Sequence, residues 1–440
     1  MSLHRADRLS EAEQIYLVVL AVEPRNFDCL HNLSLIRRQQ GRLDEALALA
    51  ARAHDADPRS PRAHDTLGST LLRLNRPEEA IAAYDQAIAL KPDFAEAHSN
   101  LAGAFAAQNR TAEAIASYRR ALGYNPALAE VQYYESLEHL RLGDFATGWR
   151  QHEWRWLRRD AAPFRRNFAQ PLWLGGESLK QKTILLHADQ GMGCALQFVR
   201  YVPLVAELGA EVVVEVHCPL LSLIKQMPEA SGVYARGDPL PPFDRHCPLM
   251  MLPLAFGTTL DSIPARVPYI PVPSIEVAGL LDQTAGAAPS VRLVWAGNAA
   301  HANDHNRSIP LRRLLPPLER RGVNFVSLQQ PLRDGDARIL DAAGVRRVGE
   351  RLQDFAETAA VVSRLDLVIT VDTAVAHLAG ALGKPVWVLL SFATDWRWFL
   401  ARDDSPFYPT ARLFRQPAPG DWDTVASRVG AALSERAKAA

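Results

Sequence analysis

The 440-residue chain contains few cysteines and has no net charge. Lysine plus arginine and aspartate plus glutamate both number 49, so no bulk field attracts nucleic acid or an anionic membrane. The sequence has no Cys-x-x-Cys pair, and the spacing of its cysteines and histidines does not suggest a metal site. Scattered cysteines in so long a chain are typical of reduced cytosolic thiols and not of a disulfide framework. The four cysteines are Cys29, Cys194, Cys218 and Cys247.

Long hydrophobic runs are also absent, because charges or prolines interrupt every stretch before it reaches membrane-spanning length. The first residues, MSLHRADRLSEAEQ, lack the apolar core of a signal peptide. We therefore expect a cytoplasmic protein with no membrane span, no nucleic acid partner and no bound metal. The 48% of hydrophobic residues indicates a folded protein, and the length favours two or three domains.

A repeat of 34 residues organises the first third of the chain. The alanines of the repeat let two antiparallel helices approach closely, the Gly or Asn residues end the first helix in a left-handed conformation, and the prolines end the second helix. The pattern resembles the tetratricopeptide family over residues 9–150 and predicts an all-α solenoid over residues 1–158 with a degenerate last unit. The positions in phase are Ala12, Ala46, Ala80 and Ala114; Gly41, Asn75, Asn109 and Gly143; and Pro24, Pro58, Pro92 and Pro126.

The resemblance implies a protein or peptide partner on the concave face of the array. A spacer or dimerisation surface is an equally good interpretation of so short an array. Trp149, Trp154 and Trp156 lie among arginines in the degenerate unit. They favour a packing surface towards the next domain over an aromatic binding surface.

Strands and helices alternate from about residue 176 onwards, which predicts doubly wound parallel α/β structure. Two sets of elements cover residues 176–275 and 288–440, and a segment rich in proline, alanine and glycine joins them. We predict two Rossmann-like domains, 159–285 and 286–440, in the GT-B arrangement of nucleotide-sugar transferases. The predicted strands are 183–188, 211–216, 292–297, 324–329, 366–371 and 385–390.

The first candidate site follows the predicted strand 366–371. Asp372 and Thr373 occupy a strand end before a helix, where free N–H groups and the helix dipole favour a diphosphate. His377 lies one turn into that helix. The alternative is structural, with Asp372 as an N-cap and His377 as a core histidine.

The same segment carries a longer motif. Its residues are Thr370, Val371, Asp372, Thr373, His377, Leu378, Gly380, Ala381, Leu382, Gly383 and Pro385. The motif resembles the donor-binding signature of the bacterial heptosyltransferase family, and a weaker similarity covers residues 180–415. The resemblance implies sugar transfer with inversion from a nucleotide-diphosphate sugar, which is a co-substrate, so no cofactor is expected. In detail the chain looks most like bacterial proteins that fuse tetratricopeptides to this module.

A second candidate site follows the strand 292–297. Gly297 and Asn298 allow close backbone approach, and Arg307 before the next helix suits a phosphate because its guanidinium binds bidentately. Arg307 also resembles the family's basic residue that contacts the donor diphosphate. A solvated surface loop is the alternative.

The third candidate site is the glycine loop after the strand 183–188. Gly191 and Gly193 precede Cys194, whereas the resembling family has an aspartate after the second glycine, the expected general base. A neutral thiol is a poor oxygen base. Asp189 and His187 are the nearby substitutes.

The loop after the last predicted strand adds Trp396 and Arg397 as candidate substrate contacts, with a packed domain-closing tail as the alternative. Together these sites predict an inverting glycosyltransferase whose acceptor is presented by the array. Because Cys194 replaces the expected base, the other hypothesis is a catalytically silent nucleotide-sugar-binding or scaffolding protein. The donor sugar, the nucleotide, the acceptor and the oligomeric state do not follow from the sequence.

Overall fold

The computed structural model describes residues 8–277, 279, 290–301, 303–318 and 323–439. Contacts divide the chain into two compact units, Met1–His139 with Gln151–Arg158, and Leu140–Arg150 with Arg159–Ala440. The predicted boundary between residues 285 and 286 lies outside the described residues. The three predicted domain ranges stay predictions.

The first unit is built from helices that pack successively on one another, as the repeat predicts. The turn residues have the left-handed backbone that their Gly or Asn identity indicated, with φ of 74° at Gly41, 58° at Asn75 and 58° at Asn109. The helices are α1 Leu9–Val22, α2 Phe27–Gln39, α3 Leu43–Ala56, α4 Pro61–Arg73, α5 Pro77–Leu90, α6 Ala95–Ala107, α7 Thr111–Tyr124, α8 Ala129–Leu142 and α9 Phe145–His152, the last two of which extend across the division between the units.

The small residues of the repeat hold the helices together. Ala46, Ala80 and Ala114 are fully buried, which confirms their predicted role at the helix contacts. Gly68 leaves room for the Tyr84 ring, because a Cβ atom at Gly68 would lie 2.7 Å from Tyr84 Cε1. The repeat prolines stand two residues after the last residues of α1, α3, α5 and α7, so they end the second helix of each pair as predicted.

The second unit begins with Leu140–Arg150. Trp149 is 2% exposed and packs edge-on against Phe198, with ring centres 5.8 Å apart, and Trp396, at 5.2 Å. The packing interpretation is therefore correct for Trp149.

A parallel four-stranded sheet forms the first half of the second unit, in the order β3-β2-β1-β4. The predicted strands at 183–188 and 211–216 are confirmed, but β3 and β4 were missed because they are short and poor in β-branched residues. Between these two strands the chain is helical over 192–207, with a 3₁₀ turn at Val199–Tyr201 and with Pro203 at the start of the helix that follows the turn. The elements are β1 Thr183–His187, α10 Met192–Phe198, α11 Val202–Glu207, β2 Glu211–Val216, α12 Leu221–Ile224, β3 Gly232–Ala235, β4 Arg245–Pro248 and α13 Leu252–Ala255.

A parallel six-stranded sheet forms the second half, in the order β10-β9-β8-β5-β6-β7. Its core lies between strand residues such as Leu293 and Ile369 and the helix residues Leu314 and Val425. Four strands were predicted, whereas β7 and β10 were not. The elements are β5 Ser290–Val294, α14 Asp304–Arg307, α15 Leu311–Leu318, β6 Asn324–Ser327, α16 Asp336–Ala342, β7 Arg346–Arg347, α17 Phe355–Ser363, β8 Leu367–Val371, α18 Ala374–Ala381, β9 Val386–Leu390, β10 Ala411–Arg415 and α19 Trp422–Ala439.

The strand orders place a topological switch point in each sheet. In the second sheet the chain runs outward from β5 through β6 to β7 and then returns to β8, which pairs with the other side of β5. In the first sheet β4 pairs with β1 in the same way. Ligands of open parallel sheets bind beyond the carboxyl ends of strands at these points. In the described parts of the chain, no helix is both long and apolar enough to cross a membrane.

Candidate functional site

The crevice between the carboxyl ends of β5 and β8 brings the first two candidate sites together. Asp372 directly follows β8, and Thr373 is the N-cap of α18, where its hydroxyl accepts a hydrogen bond from the Val375 N–H at 3.3 Å. Arg307, which follows the β5 loop, donates from Nη1 to the backbone oxygen of Asp372 at 3.4 Å. The positive end of α18 and a guanidinium group thus lie at one switch point.

The carboxyl group of Asp372 is partly buried beside other charges. Burial raises its pKa to about 6, and the charge of Asp395 acts in the same direction. Trp398 and the arginines Arg397 and Arg307 lower the pKa but do not reverse the shift. The surroundings of Asp372 therefore favour its protonated form more than water does.

The β5 loop holds Arg307 against a glycine. A Cβ atom at Gly297 would lie 2.5 Å from Arg307 Nη2, so the guanidinium group occupies the space that a side chain would need. Arg307 Nε also lies 3.6 Å from Asp304 Oδ1. Asn298 is exposed, and its side-chain oxygen accepts from the Ala300 N–H at 3.0 Å.

A polar network beneath this loop sets its backbone. Ser308 Oγ accepts from the Gly297 N–H at 3.0 Å and donates to Asp304 Oδ1 at 2.9 Å, while Arg333 donates to the Asp304 carboxylate. Gln329 Oε1 accepts from the Ala296 N–H at 2.9 Å. These residues are not predictable from the sequence, because nothing local shows that they converge on the β5 loop.

His377 is a buried, neutral side chain on α18. Its Nδ1 atom lies 2.8 Å from the Tyr408 hydroxyl, and its ring stacks on Trp398. Burial, followed by the charge of Arg397, lowers its pKa to about 3. These contacts fit the alternative of a core histidine, and a direct ligand contact stays a prediction.

The glycine loop of the first half reaches the same helix. Gly191 is the N-cap of α10, and Gly193 lies against α18, since a Cβ atom at Gly193 would be 2.8 Å from His377 Cδ2 and 3.6 Å from Ala374 Cα. The loop that follows β1 is therefore positioned next to the start of α18.

Cys194 is a protonated thiol that accepts a hydrogen bond. Arg397 Nη2 lies 3.1 Å from its sulfur atom, and the Gln190 side-chain oxygen lies 3.6 Å away. Burial raises the pKa of the thiol, and Asp395, Asp189 and Asp372 together add to this effect against the charge of Arg397. The expectation that Cys194 is no base stays a prediction.

The two predicted substitutes for the base lie beneath the surface. His187 is 2% exposed, and its Nε2 atom lies 3.3 Å from His246 Nδ1 on the neighbouring strand β4. Asp189 is 4% exposed. Their roles as bases stay predictions.

Trp396 and Arg397 differ in their surroundings. Trp396 is buried, with its ring edge-on to Trp149 and to Phe407. Its contacts match the alternative of a packed tail. Arg397 is buried in a polar cluster, where it donates from Nε to Gln197 Oε1 at 2.7 Å and from Nη1 to Asp395 Oδ1 at 2.8 Å.

The described residues contain no group of three or more His, Cys, Asp or Glu side chains arranged to hold a metal ion.

Comparison with known proteins finds matches in both parts of the chain. Residues 27–93 and 66–130 match family models described as tetratricopeptide repeat. The first unit is a tetratricopeptide array. Residues 351–393 match the family model described as glycosyltransferase family 9 (heptosyltransferase), and this segment contains β8, Asp372, Thr373, α18 and β9.

A curated relative is Protein FlbA of Caulobacter vibrioides, which is 26% identical over 334 residues. The match covers 69% of this chain and 55% of FlbA, so the chain spans about half the length of that relative. Solved structures similar to the array include MamA, with 20% identity over 37% of this chain and 96% of that chain and a TM-score of 0.31. A tetratricopeptide protein of Thermus thermophilus is 18% identical over 36% of this chain and 87% of that chain, with a TM-score of 0.34.

Proposed function

We propose that the chain is an inverting glycosyltransferase that uses a nucleotide-diphosphate sugar and needs no metal ion. One observation carries the proposal: Asp372, Thr373 and Arg307 meet at the switch point of the second sheet, inside or beside the segment that matches glycosyltransferase family 9. Switch points of this kind are where open parallel sheets bind ligands.

The donor diphosphate would lie between the start of α18 and Arg307. The helix dipole and the free N–H groups of its first turn favour negative charge, and the guanidinium group adds a full positive charge. Both would stabilise the diphosphate as it leaves, which is where charge develops in the transition state. Asp372 would accept a hydrogen bond from a hydroxyl group of the sugar or the ribose.

The tetratricopeptide array would recruit the acceptor, a protein or a peptide. Arrays of this kind bury their apolar faces by stacking and leave an extended concave surface for a partner. A spacer or dimerisation role would leave transfer unchanged when that surface is mutated.

The test is isothermal titration with a panel of nucleotides and nucleotide sugars. We expect one class to bind, and we expect Asp372→Ala and Arg307→Ala to weaken it at least tenfold, the effect of about 1.4 kcal/mol. Arg312→Ala is the control, because Arg312 is an exposed arginine on α15 close to Arg307 in sequence. The proposal would be refuted if no compound bound, or if neither substitution changed the dissociation constant.

A second function, binding without transfer, is favoured by Cys194. Burial raises the pKa of its thiol and Arg397 donates to its sulfur atom, and both observations support a protein without a base at this position. Turnover by the Cys194→Asp variant alone would support the silent protein. Turnover by the wild type that disappears in Asp189→Asn would defeat it.

A further inference from the structure

A polar cluster links the loop after β9 to the glycine loop after β1. Arg397 lies at its centre, donating to Asp395 Oδ1 at 2.8 Å, to Gln197 Oε1 at 2.7 Å and towards the Cys194 sulfur at 3.1 Å. Gln197 and Cys194 both belong to α10. The cluster therefore places Asp395 at the carboxyl edge of the second sheet, next to the start of the first half's helix.

Asp395 keeps one oxygen available. The side chain is 37% exposed. Both of its hydrogen bonds, from the Arg397 backbone N–H at 3.0 Å and from Arg397 Nη1 at 2.8 Å, end on Oδ1. Among the described residues Oδ2 has no hydrogen-bond donor, so it is free to accept a proton from a bound molecule.

The other carboxylates around the crevice are less accessible. Asp189 is 4% exposed, and Asp304 is 6% exposed and bound by Arg333 and Ser308. Asp372 is partly buried and lies at the start of α18, where the diphosphate is proposed to bind. Asp395 combines exposure with a fixed orientation.

The charges that face Asp395 come from several elements. Partial burial opposes its ionised form, but the charge and the hydrogen bonds of Arg397 hold its pKa below the ordinary value. Asp395 in turn raises the pKa of Asp372 after β8, of Cys194 on α10 and of His301 in the β5 loop. These interactions surround Asp395 with both switch-point loops and with α10.

We propose that Asp395 is the general base of the transfer reaction and that Arg397 is the residue that positions it. This inference rests on the proposed function. Asp395 Oδ2 takes the proton of the acceptor hydroxyl as that oxygen bonds to the anomeric carbon of the donor. The bond between the anomeric carbon and the diphosphate oxygen breaks, and its electron pair leaves with the nucleoside diphosphate.

The role explains how the site works with a thiol at Cys194. The glycine loop has Cys194 where a carboxylate was expected, and Asp395 in the loop after β9 supplies a carboxylate instead. The Arg397 side chain contacts both residues. Cys194 then serves as a neutral hydrogen-bond acceptor for Arg397.

The first experiment separates donor binding from turnover. UDP-glucose, UDP-N-acetylglucosamine, GDP-mannose and ADP-glucose are titrated into the full chain, and release of nucleoside diphosphate with water as the acceptor is followed for those that bind. Asp395→Asn should keep the dissociation constant within about threefold and lose roughly 100-fold or more of the turnover rate. Asp404→Asn is the matched control, because Asp404 is an exposed aspartate paired with Arg402, a neighbour two residues away.

The second experiment tests the positioning role through the pH profile. The turnover rate falls at low pH as Asp395 is protonated. Arg397→Gln removes the positive charge beside Asp395, so this acid limb should move up by roughly one pH unit. An Arg397 that only supports the fold would lower the rate and leave the limb in place, and that result would overturn the positioning role.

The outcomes distinguish the two proposals. Normal binding together with unchanged turnover in Asp395→Asn refutes the base and leaves the donor site standing. Binding without turnover in the wild type also refutes the base and supports the silent protein. No binding by any of the four sugars contradicts both proposals.

Discussion

At the residue scale, Asp372 carries a charge that its surroundings disfavour. Its carboxyl group is partly buried, and a second carboxylate, Asp395, adds repulsion. A partly buried charge of this kind lowers the stability of the free protein. It favours binding of a ligand that donates hydrogen bonds to it from hydroxyl groups. Stability and binding should therefore respond to Asp372 in opposite directions.

Asp372→Asn should stabilise the free protein at neutral pH and weaken donor binding. The pKa of the carboxyl rises from 3.8 to about 6 on folding, so the folded protein binds more protons than the unfolded chain between these values. Wild-type stability falls as pH rises through that window. The variant should be more stable by on the order of 1 kcal/mol above about pH 6, and the difference should vanish near about pH 4.

Urea denaturation of both proteins at several pH values measures this difference. Asp334→Asn, which changes an exposed aspartate, should follow the wild type throughout. The prediction would be contradicted if the free energies of unfolding of wild type and Asp372→Asn changed in parallel with pH.

Gly297→Ala should disturb binding more than stability. The new methyl group would lie 2.5 Å from Arg307 Nη2, and the end of a flexible arginine can move away at little cost. Arg307 would then leave Asp372, so donor affinity should fall about tenfold while the melting temperature changes little. Gly176→Ala is the control, since a Cβ atom at Gly176 has no heavy atom within 4 Å. Equal affinity in both variants would argue against a role for Arg307.

At the scale of elements, two helix starts meet at the crevice. The N-terminal turn of α10 lies against α18 through Gly193, and the two helices follow strands of different sheets, β1 and β8. This contact needs a residue without a side chain at position 193, because His377 is held in place by Tyr408 and Trp398.

Gly193→Ala should destabilise the second unit by about 1–3 kcal/mol, the usual effect of forcing a methyl group into a packed contact. The new Cβ atom would lie 2.8 Å from His377 Cδ2. Gly191→Ala is a close control, because its Cβ atom would meet nothing within 4 Å. Thermal unfolding of both variants gives the comparison, and similar melting temperatures would show that the two helices can separate.

The helix-ending residues of the array allow a test in the first unit. Asn75 has a φ of 58°, a region that favours glycine. Asn75→Gly should stabilise the array slightly, whereas Asn75→Ala should cost about 1 kcal/mol because alanine avoids this conformation. Circular dichroism during urea titration measures both, and Asn109, with the same φ, provides a repeat of the experiment. If both substitutions changed the free energy of unfolding equally, the backbone at residue 75 would not need the left-handed conformation.

At the scale of the whole molecule, the chain passes between the two units more than once near the end of the repeats. Leu140–Arg150 groups with the second unit, although Gln151–Arg158 groups with the first. Phe145 stacks on Phe399 and Phe407 at 6.2 and 6.3 Å, and Trp149 is buried beside Trp396. The second unit should need this segment to complete its core.

A fragment that begins at Ala129 should therefore be more stable than one that begins at Arg159. Removing Trp149 leaves Phe198 and Trp396 exposed on one side, and loss of a buried tryptophan costs about 3–5 kcal/mol. Melting temperature and solubility of the two fragments measure the effect. In the full chain Trp149→Ala should be destabilising and Leu157→Ala, at a residue 61% exposed, should not. Equal stability of the two fragments would contradict this assignment.

Much of the fold followed from the sequence by itself. The 34-residue step gave the helices and their left-handed turns, because neighbouring units repeat the same local contacts. The buried strands were visible as short β-branched runs, because parallel strands are apolar on both faces. Asp372, Thr373 and Arg307 were visible as candidates for the same reason, since each stands directly beyond such a run or its loop.

Only the tertiary structure decided which of these candidates meet. The order of the strands, which creates the switch point between β5 and β8, depends on pairing between distant segments. Gln197 and Arg397 bond across 200 residues, and that bond orients Asp395, while Trp396 beside it turns into the core. Local patterns carry no information on such contacts, because burial and free hydrogen-bonding atoms are properties of the packed chain.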